Sequence, residues 1–507
     1  MANFPINTLP GIKRDGTLLE GNYYTDGEWC RFQRGKPRSI GGYMEISNQL
    51  GGVSRGVFIV PRGPVLDVYS GNSDTLEYIE TNLTGSAGGL VDRTPVGFGT
   101  DANNVWQFDL MYDATNSVTR LIAHAAPNLD DINNTTETTV WYGDAASNAK
   151  LITTGEVASG GIVVIHPYLF LLTNEGTVKW SQANQPAIFA GGDSGSARIT
   201  GNKILKGLQV RTGAQSGGGL LWSIDSLIKV TYVGGSAIFS FDTITDKTSL
   251  LSSSSVVEYN GVYFWPTTSS FVYYNGVVRT LKNDMNRNFF FENLNYAYRQ
   301  KVWGLKVEEY NEIWWFYPRI IAGLPEPTEC NWAVIYNLQL DTWYDTPINR
   351  SAGYYSEVFP YPVMADSVPL TPAVGSKYQL WLHEIGEDQV IGLSSLALKK
   401  TIETGDISFC ATGPEGKWMG QERDVRITRL EPDAVQTGDM SFYVTGKKFA
   451  RSSDQLSVPY LMEPTTQKID LHEERRQMRL RFESNTLGGA FQLGENIIHL
   501  ESGDVRP

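Results

Sequence analysis

Gly192-Asp193-Ser194-Gly195 sets a serine beside an aspartate in a glycine-rich turn, the kind of setting in which chymotrypsin-like proteases present a nucleophile. His124 is a possible base, and Asp130 and Asp131 follow it as possible orienting carboxylates. Acyl transfer needs the base against the serine and a carboxylate behind the base. Here Ser196-Ala197 follow the motif where that family has Gly-Pro, the spacing is wrong, and no double-barrel pattern surrounds it. The segment therefore reads as a surface turn. Gly416-Lys417 and Gly446-Lys447 are followed by Trp418 and Lys448, so neither forms a phosphate loop. The histidines, His124, His166, His383, His472 and His499, are too far apart to chelate a metal as a local pair. Paired carboxylates for glycoside hydrolysis arise easily by chance among 55 acidic residues, and the repeated Ser-x-Asp-x-Gly-x-x-Trp turns of sialidases are missing. No catalytic, metal or cofactor site is expected.

Two basic clusters remain. Arg31, Arg34, Lys36 and Arg38 lie near the start, and Arg475, Arg476, Arg479 and Arg481 lie near the end. Either could meet nucleic acid, but in a chain of net charge -13 they read first as solvated strand faces or as assembly contacts with an acidic neighbour. The same charge gives no overall attraction to phosphates. Cys30, Cys330 and Cys410 are odd in number and far apart, which indicates neither a disulfide framework nor a zinc site. The first residues lack the basic start and apolar run of a signal peptide, and Ile162 to Leu172 is too short to span a bilayer, so folding in a cytoplasm is expected.

The elements that must position these groups are strands. Hydrophobic residues make up 41% and charged residues 19%, enough for a core, and 51 glycines with 12% aromatics favour short strands and tight turns. Three regions follow. Residues 1–45 are rich in glycine and charge without a repeating apolar face, and are expected to lie as a docking arm on another surface. Residues 46–395 read as successive strand pairs, with turns at Asn174-Glu175-Gly176, Asn260-Gly261 and Asn275-Gly276. Units of four strands every ~45–60 residues predict a β-propeller-like domain, with stacked sandwiches as the alternative. "AVIYNLQLDTWYDTP" resembles a kelch-type blade end whose tryptophan packs between blades. Residues 396–507 change style. The period-2 runs Val425 to Leu430 and Met478 to Phe482 predict a small β-sandwich or barrel.

Both ends of the chain carry a resemblance. "FPINTLPGIKRDGTLLEGNYYTDGEWCRFQRGKPRSIGGY" resembles the opening of structural proteins of short-tailed phages (podophages). "RLEPDAVQTGDMSFYVTGKKFA" and "QKIDLHEERRQMRLRFESNTLGGAFQLGENIIHLESGD" resemble their ends. The group is similar to the packaged-DNA stabilisation, or tail nozzle, proteins. That resemblance implies a virion location, a homohexameric ring of propeller subunits and a tail adaptor above it that continues the portal channel. Tail fibre or needle proteins would lie nearby. It carries no catalytic residues. A nozzle would pass double-stranded DNA without sequence-specific binding, through a lumen lined by Asp and Glu that keeps phosphates from adhering. The competing expectations are a receptor-binding propeller and a glycan-processing propeller of the tail tip.

Overall fold

The computed structural model describes residues 2–505 except 19–21, 83, 100, 103, 128–137, 145–146, 152–155, 211–217, 371–376, 408–409, 413–417, 421–422 and 450. Asp130, Asp131 and Gly416-Lys417 lie outside the described residues.

Within the central segment, hairpin-connected strands close into four-stranded antiparallel sheets, each starting on an inner strand. Blade 1 comprises Gly56–Arg62, Val65–Gly71, Leu76–Asn82 and Val91–Asp92, and blade 2 comprises Val105–Asp113, Val118–Ala126, Trp141–Asp144 and Ser147–Leu151. Blade 3 follows with Gly161–Ile165, Tyr168–Leu172, Thr177–Trp180 and Gly195–Arg198, and blade 4 with Ile204–Val210, Gly218–Ser223, Leu227–Tyr232 and Phe239–Thr245. Blade 5 is Val257–Tyr259, Val262–Pro266, Phe271–Tyr274 and Val278–Leu281, and blade 6 is Trp303–Val307, Glu312–Tyr317, Trp332–Asn337 and Thr342–Pro347. Blade 7 takes Arg350–Tyr354, Val363–Asp366 and Tyr378–His383 from the far end and Tyr43–Leu50 from the near end. Two short strands, Gln389–Ile391 and Ser394–Leu396, extend it.

The described residues thus form a seven-bladed propeller, in agreement with the expected all-β, propeller-like class. Asn260 and Gly261 both have positive φ, as a two-residue hairpin turn of matching twist requires. Blades meet through tryptophans. Trp106 donates to the Asn72 carbonyl (2.8 Å), Trp315 to that of Ser255 (2.9 Å) and Trp343 to that of Lys282 (2.8 Å). Trp343 is the residue of the kelch-like run, and it packs against Phe271 of blade 5 (4.7 Å between centroids) as expected. Inner strands approach closely where they carry glycine. A methyl group on Gly207 would stand 2.5 Å from Val163, and one on Gly304 would stand 2.5 Å from Val257.

The ends of the chain depart from expectation. Residues 2–39 are no free arm: their strands complete sheets of the C-terminal region. Ala2–Pro5 pairs with Ile497–Val505, and Tyr23–Glu28 pairs with Lys400–Thr404. Lys36–Ser39, itself paired with Cys30–Gln33, meets Ala490–Leu493 through Arg38 and Gln492. A segment without an apolar face of its own still becomes ordered when partner strands supply the sheet. Its surface is the chain itself: Thr342 donates to the Pro10 carbonyl (2.9 Å), and the Trp29 amide donates to Thr346 (2.9 Å).

The resulting terminal module is a β-sandwich-like body. It also contains Arg423–Glu431, Ala434–Thr437, Met440–Lys447, Ile469–Arg475 and Gln477–Ser484. Val425, Ile427, Phe442, Leu480, Phe482 and Phe491 share one core with Trp314 and Phe316 of blade 6. The alternation from Val425 breaks at a bulge between Ile427 and Arg429, which returns Leu430 to the core.

Tyr43–Leu50 fastens the ring by adding the near end of the chain to blade 7, and in it Ile46 is fully buried opposite Leu380. Ile46→Ala is expected to cost about 2–5 kcal/mol in urea unfolding, the scale of a central core position. A cost below ~1 kcal/mol would show that this strand does not close the ring.

Candidate functional site

The seven inner strands surround a cavity of about 630 Å³, the place where a propeller would hold a ligand or pass one. Its charged lining is Arg55, Asp109, Lys206, Glu258, Lys301, Lys306 and Glu357. Two of these cations share one carboxylate. Arg55 makes a two-pronged pair with Glu329 (2.7 and 2.7 Å), and Lys301 reaches the same group (2.6 Å). Burial raises the Glu329 carboxyl, but the bonds from Arg55 and Lys301 outweigh it and hold the group below its ordinary value.

Lys306 sits among Glu308 (2.7 Å), Glu357 (2.9 Å) and Glu258 (3.8 Å). Burial works against its charge, yet these carboxylates raise its pKa. Glu258 also accepts from the Gly261 amide (2.6 Å). Lys206 is pushed down by burial, with Asp109 acting the other way. Asp109 accepts from the Val164 amide (2.8 Å), and Gln107 donates to the carbonyls of Gly160 (3.1 Å) and Leu205 (3.2 Å). The polar side chains of blade 2 thus occupy backbone groups of blades 3 and 4. The arrangement ties inner strands together. Each of the carboxylates Asp109, Glu258 and Glu357 already has an amide or ammonium partner.

The hydrolase-like residues do not meet. His124 is fully buried against the Ala158 carbonyl (3.1 Å) and Thr138 (2.8 Å), and burial pushes it down to about 4. Ser194 donates to the Gly191 carbonyl (2.7 Å), and Asp193 accepts from Tyr168 (2.8 Å). These bonds close a turn in blade 3.

The two basic clusters separate into different roles. Arg31 is 1% exposed, paired with Glu312 (3.0 Å) and Glu384 (2.5 Å), and stacked over Tyr310 at 3.5 Å. Tyr344 (2.5 Å) and Trp314 (2.8 Å) donate to the Glu312 carboxylate. Burial raises that carboxyl, against the opposing charge of Arg31. Arg479 is 8% exposed and faces Glu403 (3.2 Å), Asp406 (3.5 Å) and Asp454. Neither can be the outward assembly contact that the sequence suggested, because each is sealed among carboxylates.

Lys36 pairs with Glu495 (3.3 Å), Arg38 donates to Gln33 (2.7 Å), Arg475 approaches Glu473 (3.8 Å) and Arg481 pairs with Glu483 (2.8 Å). Arg34 and Arg476 remain exposed. Sequence reasoning missed Glu312 and Glu384, which no local signal ties to Arg31. It also passed over Lys448-Phe449, although an aromatic beside unmatched cations was visible in "GKKFARSSD".

No protein family model and no curated protein matches the chain. Among solved structures it is similar to the computationally designed Ika8 protein, at 10% identity over 68% of this chain and 99% of that one, with a TM-score of 0.37. It is also similar to an exo-beta-1,3-galactanase from Phanerochaete chrysosporium bound to galactose, at 10% identity over 91% of this chain and 100% of that one, with a TM-score of 0.27. At these TM-scores the likeness carries no argument, and no activity passes to this chain.

Replacing Arg31 by Met leaves Glu312 and Glu384 buried without their cation. The expected cost is about 3–5 kcal/mol in denaturant unfolding, most of it the penalty of unpaired buried charge. A loss under ~1 kcal/mol would mean that the two carboxylates do not need the guanidinium.

Proposed function

We propose that this chain is a structural subunit of a short-tailed phage tail, a nozzle protein that extends the DNA channel below the portal and adaptor. One observation carries the reading. The N-terminal stretch that resembles podophage virion proteins lies hundreds of residues from the two C-terminal ones in sequence, yet all three contribute to one body, the terminal module, on blade 6. A resemblance carried by both ends of the chain gains weight when those ends pair into common sheets.

The charge distribution supports the same reading. Residues 43–383 hold 31 acidic and 21 basic side chains, so the propeller bears most of the net negative charge. Packed DNA held against acidic walls slides and does not adhere. Rigid blades tied by buried tryptophans suit a part that bears pressure. This role requires no cofactor and no small-molecule substrate. In this reading the partners are five further copies of the chain, the adaptor above, and neighbouring fibre or needle proteins.

Gold-labelled antibody against the chain is expected to mark the tail of intact short-tailed virions, and incubation with host polysaccharide is expected to release no sugar. Label absent from the virion, or sustained sugar release by the free chain, would contradict the proposal.

A further inference from the structure

A basic turn on the terminal module and an acid-rich rim on the propeller suggest how copies meet. The turn after Met440–Lys447 carries Lys448, Phe449 and Arg451, and Arg476 flanks it because Lys447 lies in register with Gln477. The Arg476 guanidinium stands 5.9 Å from the Phe449 ring, which is 51% exposed. Lys448, Arg451 and Arg476 are exposed and have no ion-pair partner among the described residues. The cations just behind are different: Lys447 and Arg479 are matched by Asp406 and Asp454.

From this basic tip an apolar edge runs along the same sheet through Leu456, Val458 and Leu461, all more than half exposed. Pro459 interrupts that edge, so a partner would meet side chains and would not add a strand. An arginine and an aromatic beside aliphatic side chains is the composition of a contact core between proteins.

The propeller offers the complement. At the mouth of its cavity the carboxylates of Glu258, Glu308 and Glu357 share the single ammonium of Lys306, and Glu309 stands exposed next to them. Glu258, Glu308 and Glu309 by themselves outnumber that ammonium, so the rim keeps a negative excess.

We infer that the basic tip of the terminal module docks on this acidic mouth of a second copy of the chain. Such a contact joins two different surfaces, the kind of interface that forms a ring when the rotation between copies closes. The inference rests on the assembly reading above and gives it an interface. Duplex DNA is the weaker candidate for the tip, since Leu456, Val458 and Leu461 find nothing apolar on a phosphate backbone and the chain as a whole repels a polyanion.

The test uses charge reversal in the full chain, read by sedimentation velocity alone and with the upstream adaptor ring. Thermal midpoints serve as a folding control, because all the altered side chains lie at the surface. Lys448→Glu with Arg476→Glu is expected to raise the protomer concentration needed for assembly at least about tenfold, as loss of charged contact residues does. Adding Glu308→Lys with Glu309→Lys is expected to restore assembly. Rings that form unaltered in the K448E/R476E chain, or a four-site swap that fails to restore them, would overturn the inference while leaving the assembly reading intact. Normal rings combined with lost retention of a duplex DNA probe would overturn it in favour of phosphate binding. A wild-type chain that stays monomeric even with the adaptor would overturn both.

Discussion

A buried guanidinium between two buried carboxylates holds the molecule's two bodies together. Arg31 comes from the N-terminal strands, Glu312 from the second strand of blade 6, and Glu384 from the turn that leaves blade 7. Removing such charges from water costs several kcal/mol each, so the triad persists only because Tyr344, Trp314 and the Gly41 amide also bond its carboxylates. Against well-packed apolar residues such a triad gains little, whereas losing one of its members is costly. Its effect is on specificity, because only one docking of the terminal module places the guanidinium between both acids.

That constraint explains why the chain begins and ends in the same place. Tyr43–Leu50 must return to blade 7 to close the ring, and the residues before it must run over blade 6 to reach the C-terminal sheets. Arg14 follows the same path, pairing with Asp345 of blade 6 (3.0 Å) while also bonding Asp26. Propeller and terminal module therefore fold as interdependent parts, with one continuous core from Phe482 through Trp314. Continuity of this kind resists relative motion of the two bodies better than a flexible linker would.

Strand pairing at short range was legible in the sequence. The Asn-Gly turn after Tyr259, the hairpin at Val57 to Tyr69 and the interblade role of Trp343 all follow from local pattern, because a two-residue turn and a period of two are local facts. Long-range pairing was not legible. Nothing near residues 2–39 announces partners beyond residue 400, and residues 1–45 therefore read as an arm. The candidate assembly residues suffered for the same reason: burial of Arg31 and Arg479 depends on acids brought from distant strands, whereas exposure of Arg34 and Arg476 at turns could have been anticipated from their surroundings. The absence of a local catalytic or metal motif gave no positive handle on the cavity, whose lining is gathered from seven strands far apart in the sequence.

We propose that these modules serve to fit against neighbouring proteins. Cryo-electron microscopy of the purified chain mixed with the adaptor ring tests it most directly. The account predicts a closed sixfold ring seated on the adaptor, with acidic side chains along a lumen wide enough for duplex DNA. Chains that remain single particles beside a bare adaptor, or a ring with a basic inner wall, would contradict it.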